Sequence, residues 1–217
     1  MTRYTQPEYA SSAVITIDTQ RDTLDGQPLE IPGTSAVLPG IRSVLDTYRR
    51  KRMPVVHIVR IYRRDGSNVD TCRREEVESG AQILLDGSPG CELAAELFQP
   101  GVVSLDTDLL LAGKIQPISD HEVIIYKPRW GAFYETPLES HLRNLGVNTL
   151  VFVGCNFPNC PRTSIYEASE RDFRIVLVED AVSGLYPKGK EEMLGIGVTV
   201  VDSEDIATAL NALEAGA

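Results

Sequence analysis

Nowhere in the 217 residues does an apolar run approach the ~20 residues that a membrane-spanning helix needs. No GxGxxG follows the first apolar run and no Walker motif occurs, which removes the dinucleotide-binding and P-loop readings. Positive charge is short: 21 Lys and Arg stand against 31 Asp and Glu, a formal charge of -10. Such a chain is not expected to bind nucleic acid or an anionic membrane surface. The one basic cluster, Arg49-Arg50-Lys51-Arg52, reads as the solvated end of a helix, where cations complement the helix dipole. Histidine is scarce, with three residues, and the four cysteines show no CxxC spacing, so neither a structural zinc site nor another metal or cofactor is expected. The opening MTRYTQPEYASS lacks the basic and apolar regions of a leader, which points to the cytoplasm, where disulfides rarely persist.

What is present is a 42% hydrophobic composition without low-complexity tracts, enough for one globular domain over residues 1–217. Short β-branched runs at Ala13–Ile17, Val55–Ile61, Val123–Tyr126, Thr149–Val153, Ile175–Val178 and Val198–Val201 read as buried strands. Helical patterns lie between them at Gly40–Lys51, Pro137–Asn144, Pro161–Arg171 and Glu204–Leu213. Alternation of this kind predicts an α/β fold: a three-layer, doubly wound, six-stranded and mainly parallel sheet in the order 3-2-1-4-5-6, with helices on both faces. Residues 62–120 carry turn signals, among them Asp86-Gly87-Ser88-Pro89-Gly90 and Gln99-Pro100-Gly101, and little periodicity. A connection of that length suits a lid or a subunit contact.

In such sheets ligands bind beyond the carboxyl ends of the strands, so those ends are searched first. Asp18 follows the first strand; its carboxylate either accepts a proton from a bound group or caps the turn. Lys127 follows the third strand beside Trp130 and serves either as a fixed positive charge or as a snorkelling strand end. Cys160 follows the fourth strand. Pro161 suits the first turn of a helix, which puts Cys160 at or beside the N-cap, where the helix dipole favours thiolate and lowers the pKa toward neutrality. An inert buried thiol is the other reading of that residue. Amides in the same loop are placed to stabilise an oxyanion. Because the three strands fall within the neighbouring set 3-2-1-4 of the expected order, the carboxylate, ammonium and thiol converge on one sheet edge.

These residues resemble the motifs of the isochorismatase-like cysteine hydrolase superfamily, which includes nicotinamidases, N-carbamoylsarcosine amidohydrolases, biuret hydrolases and streptothricin hydrolases. The resemblance rests on Asp18-Thr19-Gln20, on Lys127 with Gly131-Ala132-Phe133, on Gly154 to Cys160 before a helix, and on Asp180-Ala181. It implies that Asp18 is the general base, that Lys127 steadies the thiolate, that Cys160 attacks a carbonyl, and that the Cys155-Asn156 peptide is cis, with the amides of Asn156 and Cys160 forming the oxyanion hole. It also implies a dimer or tetramer.

Many members carry Thr-Asn-x-Cys-Val where this chain has Phe157-Pro158-Asn159-Cys160-Pro161, and nicotinamidases place metal ligands where it has Arg60-Ile61-Tyr62. Isochorismatases proper cleave an enol ether and typically lack the cysteine. Its presence therefore favours hydrolysis of a C–N bond in a small amide, ureide or lactam through a thioester-type acyl-enzyme. Arg60, Tyr62, Arg129, Trp130, Phe133 and Phe157 are the expected substrate contacts, with Arg60 or Arg129 suited to a carboxylate or ureide oxygen. The competing readings are an enol-ether hydrolase, a redox protein pairing Cys155 with Cys160, and a binding module on the same fold.

Overall fold

The computed structural model describes residues 2–98 and 103–215. Its sheet has seven strands: β1 (Ser12–Ile17), β2 (Val55–Val59), β3 (Gln116–Ser119), β4 (Glu122–Tyr126), β5 (Thr149–Gly154), β6 (Arg174–Val182) and β7 (Thr199–Val201), in the order β3-β4-β2-β1-β5-β6-β7. The expected sheet of six strands is thereby corrected in number and order. The added member is β3, an edge strand antiparallel to β4 with a register shift between Pro117 and Ser119. Its sequence Gln-Pro-Ile-Ser gives no β-branched run, and proline is tolerated in a sheet only at such an edge. The other strand pairs are all parallel.

All six residues of β1 and all six of β5 are buried, as strands covered on both faces require. On one face Val14, Val151, Val153, Val176 and Val178 pack against α1 (Thr34–Arg50) and α7 (Ser203–Ala215) through Ile41, Leu45, Ile206 and Leu210. On the other, Ile15, Ile17, Phe152 and Leu177 meet α4 (Leu138–Asn144), α5 (Cys160–Ser169) and α6 (Pro187–Gly195) through Leu142, Ile165 and Met193.

α1 begins six residues before the expected Gly40, because Asp25 accepts hydrogen bonds from the Gly33 and Ser35 amides and satisfies donors that a helix start leaves open. At its far end Arg49 is half-buried and pairs with Glu122 at 2.6 Å, so the basic cluster is in part an internal tie. α6 was not expected, since Lys188-Gly189-Lys190-Glu191-Glu192 hides its apolar period.

Residues 62–120 are more ordered than their composition implies. They hold α2 (Thr71–Glu78), α3 (Thr107–Leu111), short 3-10 turns at Pro89–Cys91 and Ala95–Leu97, and bridges from Gln20 to Leu93 and from Tyr62 to Leu85. The turn signal at Gln99-Pro100-Gly101 lies outside the described residues. Among the described residues no helix is long and apolar enough to cross a membrane.

Candidate active site

The order β4-β2-β1-β5 brings the ends of β1, β4 and β5 to one edge, and Asp18, Lys127 and Cys160 meet there. Asp18 leaves β1 with φ +47, a left-handed conformation uncommon outside glycine. Its carbonyl holds that turn by accepting from Thr23 Oγ1 at 3.0 Å and from the Cys155 thiol at 3.1 Å. The neighbouring Gln20 is wholly buried: its carboxamide donates to the carbonyls of Arg60 and Cys91 and accepts from the Arg60 amide at 2.8 Å. Thr19-Gln20 thus locks the end of β1 to the end of β2.

Lys127 is fully buried, and its ammonium faces three acceptors: Asp18 Oδ2 at 2.8 Å, Cys160 Sγ at 3.3 Å and the Arg129 carbonyl at 3.1 Å. An ammonium has three N–H donors, so its position is fully determined by these contacts. Among the described residues Asp18 Oδ1 has no hydrogen-bond partner.

Cys160 is the first residue of α5, with Pro161 next, as Pro in a first turn allows. The peptide Cys155-Asn156 is cis. Ser183 fixes the loop between β5 and α5, accepting from the Phe157 amide and donating its own amide to Gly154 O. Among the described residues the amides of Asn156 and Cys160 donate to no protein acceptor.

The expected low thiol pKa is overturned. Burial pushes the Cys160 thiol up to about 12, and the Asp18 carboxylate adds to the rise. Lys127 and Arg60 pull the other way without cancelling it. Desolvation of the sulfur and a neighbouring anion outweigh the positive end of one helix. Cys155 is likewise pushed up by burial to about 12 and is held as a donor to the Asp18 backbone.

The pocket in front of Cys160 is lined by Asp18, Asn156 and Cys160 together with Arg60, Tyr62 and Trp130. Three of the expected contacts do not reach it. Arg129 is exposed and donates to the carbonyls of Pro128 and Asn68. Phe133 is buried against Phe173, and Phe157 is fully buried beside Tyr186, so both serve the core. Sequence reasoning missed Thr23, Leu29 and Ile31 of the lining, and also Asp70, Arg73 and Leu84, which residues 62–120 supply. Asp70 Oδ2 is ion-paired with Arg60 and accepts from Tyr62 Oη at 2.8 Å. An acidic residue just before a helix, eight residues beyond Tyr62, was the one available signal.

The place after β2 where nicotinamidases hold metal ligands is filled here by the Arg60 guanidinium, a cation already paired with Asp70. Among the described residues no three His, Cys, Asp or Glu side chains gather as a metal donor set.

The loop carrying Trp130 is clamped to the helix that begins at Cys160. Ser164 Oγ accepts from the Ala132 amide at 3.0 Å and Glu167 Oε2 from the Phe133 amide at 2.8 Å. A Cβ at Gly131 would stand 2.2 Å from the Glu167 carboxylate, so only glycine lets that carboxylate approach.

The family model described as an isochorismatase domain matches residues 12–205. The chain is 26% identical over 183 residues to a probable inactive nicotinamidase of Arabidopsis thaliana, covering 83% of this chain and 84% of the relative. To a ureidoacrylate amidohydrolase of Agrobacterium fabrum it is 26% identical over 197 residues, covering 82% and 78%. The solved structure of an isochorismatase family protein from Desulfovibrio vulgaris superposes with a TM-score of 0.77 at 30% identity, covering 94% of this chain and 98% of that one.

Proposed function

Since the chain belongs to the isochorismatase family, whose relatives here include amidohydrolases, we propose that it is a cysteine amidohydrolase that cleaves a C–N bond of a small amide, ureide or lactam. The observation that carries this reading is the placement of one buried ammonium between a carboxylate and a thiol, 2.8 Å from Asp18 Oδ2 and 3.3 Å from Cys160 Sγ.

With its pKa near 12 the resting sulfur is a thiol, so attack requires a base in contact with it. Asp18 fills that role through its unpartnered Oδ1, taking the thiol proton as Sγ bonds to the carbonyl carbon. The oxygen, now an anion, is received by the amides of Asn156 and Cys160. Lys127 holds the Asp18 carboxylate in place and offsets charge on sulfur. Collapse breaks the C–N bond, Asp18 returns its proton to the leaving nitrogen, and a thioester remains. Water then attacks with Asp18 again as base, releasing the acid and restoring the thiol. The reaction consumes one amide and one water and yields one acid and one amine or ammonia. The enol-ether reading gains nothing from the geometry, since it leaves the thiol without a task.

A screen for ammonia or amine release across small amides, ureides, carbamoyl amino acids and lactams tests the proposal, with Cys160→Ala protein as control. Turnover that depends on Cys160 supports it, and release unaltered by the substitution refutes it.

A further inference from the structure

We infer that the substrate is an anionic amide whose carboxylate is held by Arg73, which makes Arg73, on the first turn of α2, the residue that sets specificity. This rests on the amidohydrolase reading of the same pocket.

Three arginines lie in or near the pocket, and their partners separate them. Arg129 is exposed and its guanidinium is directed at backbone carbonyls. Arg60 is 4% exposed and its charge is matched by Asp70, itself 4% exposed and further held by Tyr62. Arg73 lines the pocket, and its Nη1 is buried without a hydrogen-bond partner. Among the described residues its side chain donates to no acceptor.

The charges around the pocket divide accordingly. Lys127 offsets Asp18 and Arg60 offsets Asp70, each pair in direct contact. Among the described residues Arg73 is the charged lining residue without an ion-pair counterpart, in a protein whose formal charge is -10. Arg73 as a whole is half-buried, but a buried guanidinium nitrogen lacking an acceptor is costly unless the ligand supplies one, and a carboxylate fits the planar fork. The remaining open atoms describe the rest of the ligand. Arg60 Nε offers a second donor and Asp70 Oδ1 an acceptor, neither partnered among the described residues. A carboxylate with an N–H group near it answers both.

The test uses Cys160→Ala protein, which separates binding from turnover, and titration calorimetry with two matched pairs: succinamate against butyramide, and N-carbamoylglycine against N-ethylurea. Each acid is expected to bind about 10- to 100-fold tighter than its neutral partner, the range for a hydrogen bond to a charged group. Adding Arg73→Gln should bring the affinity ratio of acid to neutral partner to about one, and Arg73→Lys should restore part of the preference. Equal binding of acid and neutral partner, failure of the acids to bind, or a preference that survives Arg73→Gln overturns the inference. Turnover is followed in parallel with the unsubstituted protein. Acids that bind through Arg73 yet are never cleaved leave the carboxylate site standing and sink the hydrolase reading instead.

Discussion

Lys127 Nζ stands 2.8 Å from Asp18 Oδ2, in a position that leaves the lysine fully buried. A contact of this kind binds the two residues into one unit, because either charge alone would be stranded away from water. Lys127→Met is therefore expected to lower the unfolding free energy in urea by about 3 kcal/mol as well as suppress turnover, since removing one partner strands the other. Wild-type stability in that variant would show that the pair is not mutually dependent.

Asp18 and the thiol should respond to substitution in opposite directions. The Asp18 carboxylate helps to hold the Cys160 pKa near 12, so the sulfur is protonated at neutral pH. Asp18→Asn removes that anion and lets the thiol pKa fall. Alkylation of Cys160 by iodoacetamide at pH 8 should become faster, while turnover drops by about 10^3-fold through loss of the base. Slower alkylation together with lost turnover would mean that Asp18 promotes the thiolate in the resting protein.

Glu122 ties the edge of the sheet to α1. Burial by itself would raise its carboxyl, but hydrogen bonds from His57 and Arg49 outweigh that and hold it at about 2 against an ordinary 4.5. The folded value is depressed, so the added stability is present above pH 4.5 and is lost as pH falls from there toward 2, on the order of 3 kcal/mol in all. His57 is depressed too, by its burial, and adds a loss that begins as pH falls through 6.5. It is neutral in the fold, its Nε2–H donating to Glu122 and its Nδ1 accepting from Thr16 Oγ1. Denaturant midpoints of Glu122→Gln should fall less between pH 5 and 3 than those of wild type. Parallel curves would rule out Glu122 as the source of the acid limb.

Gly131→Ala tests the clamp between Trp130 and the helix of Cys160. The added methyl group meets the Glu167 carboxylate at 2.2 Å, so that side chain must turn away and release the Phe133 amide. Stability should fall by about 1–3 kcal/mol. KM should rise more than kcat falls, because Trp130 lines the pocket. The double variant Gly131→Ala/Glu167→Ala removes the clash and should recover stability relative to the single one.

Much of this was legible in the residues because the parallel strands are buried on both faces and advertise themselves as β-branched runs, and because Asp18, Lys127 and Cys160 directly follow or closely succeed three of them. β3 was not legible: an edge strand needs no apolar run, and Pro117 reads as a breaker. Asp70 and Arg73 stayed hidden since the Arg60–Asp70 pair and the shared pocket lining depend on how the chain after Tyr62 folds back, in a segment of no clear period. Phe133 and Phe157 misled because an aromatic ring beside a catalytic motif can turn either way, and both turn to the core. The thiol pKa went wrong for a related reason: a helix dipole can be read from one turn of sequence, whereas desolvation depends on everything that packs around the sulfur.

The central claim is that Cys160 forms a thioester during hydrolysis. Enzyme quenched in acid while turning over a slowly hydrolysed amide, then examined by intact-mass and peptide mass spectrometry, tests it most directly. The predicted result is a mass increase equal to the acyl group, located on the peptide that contains Cys160 and absent from Cys160→Ala protein. Sustained hydrolysis with no acylated enzyme, together with undiminished activity of Cys160→Ala, would contradict it.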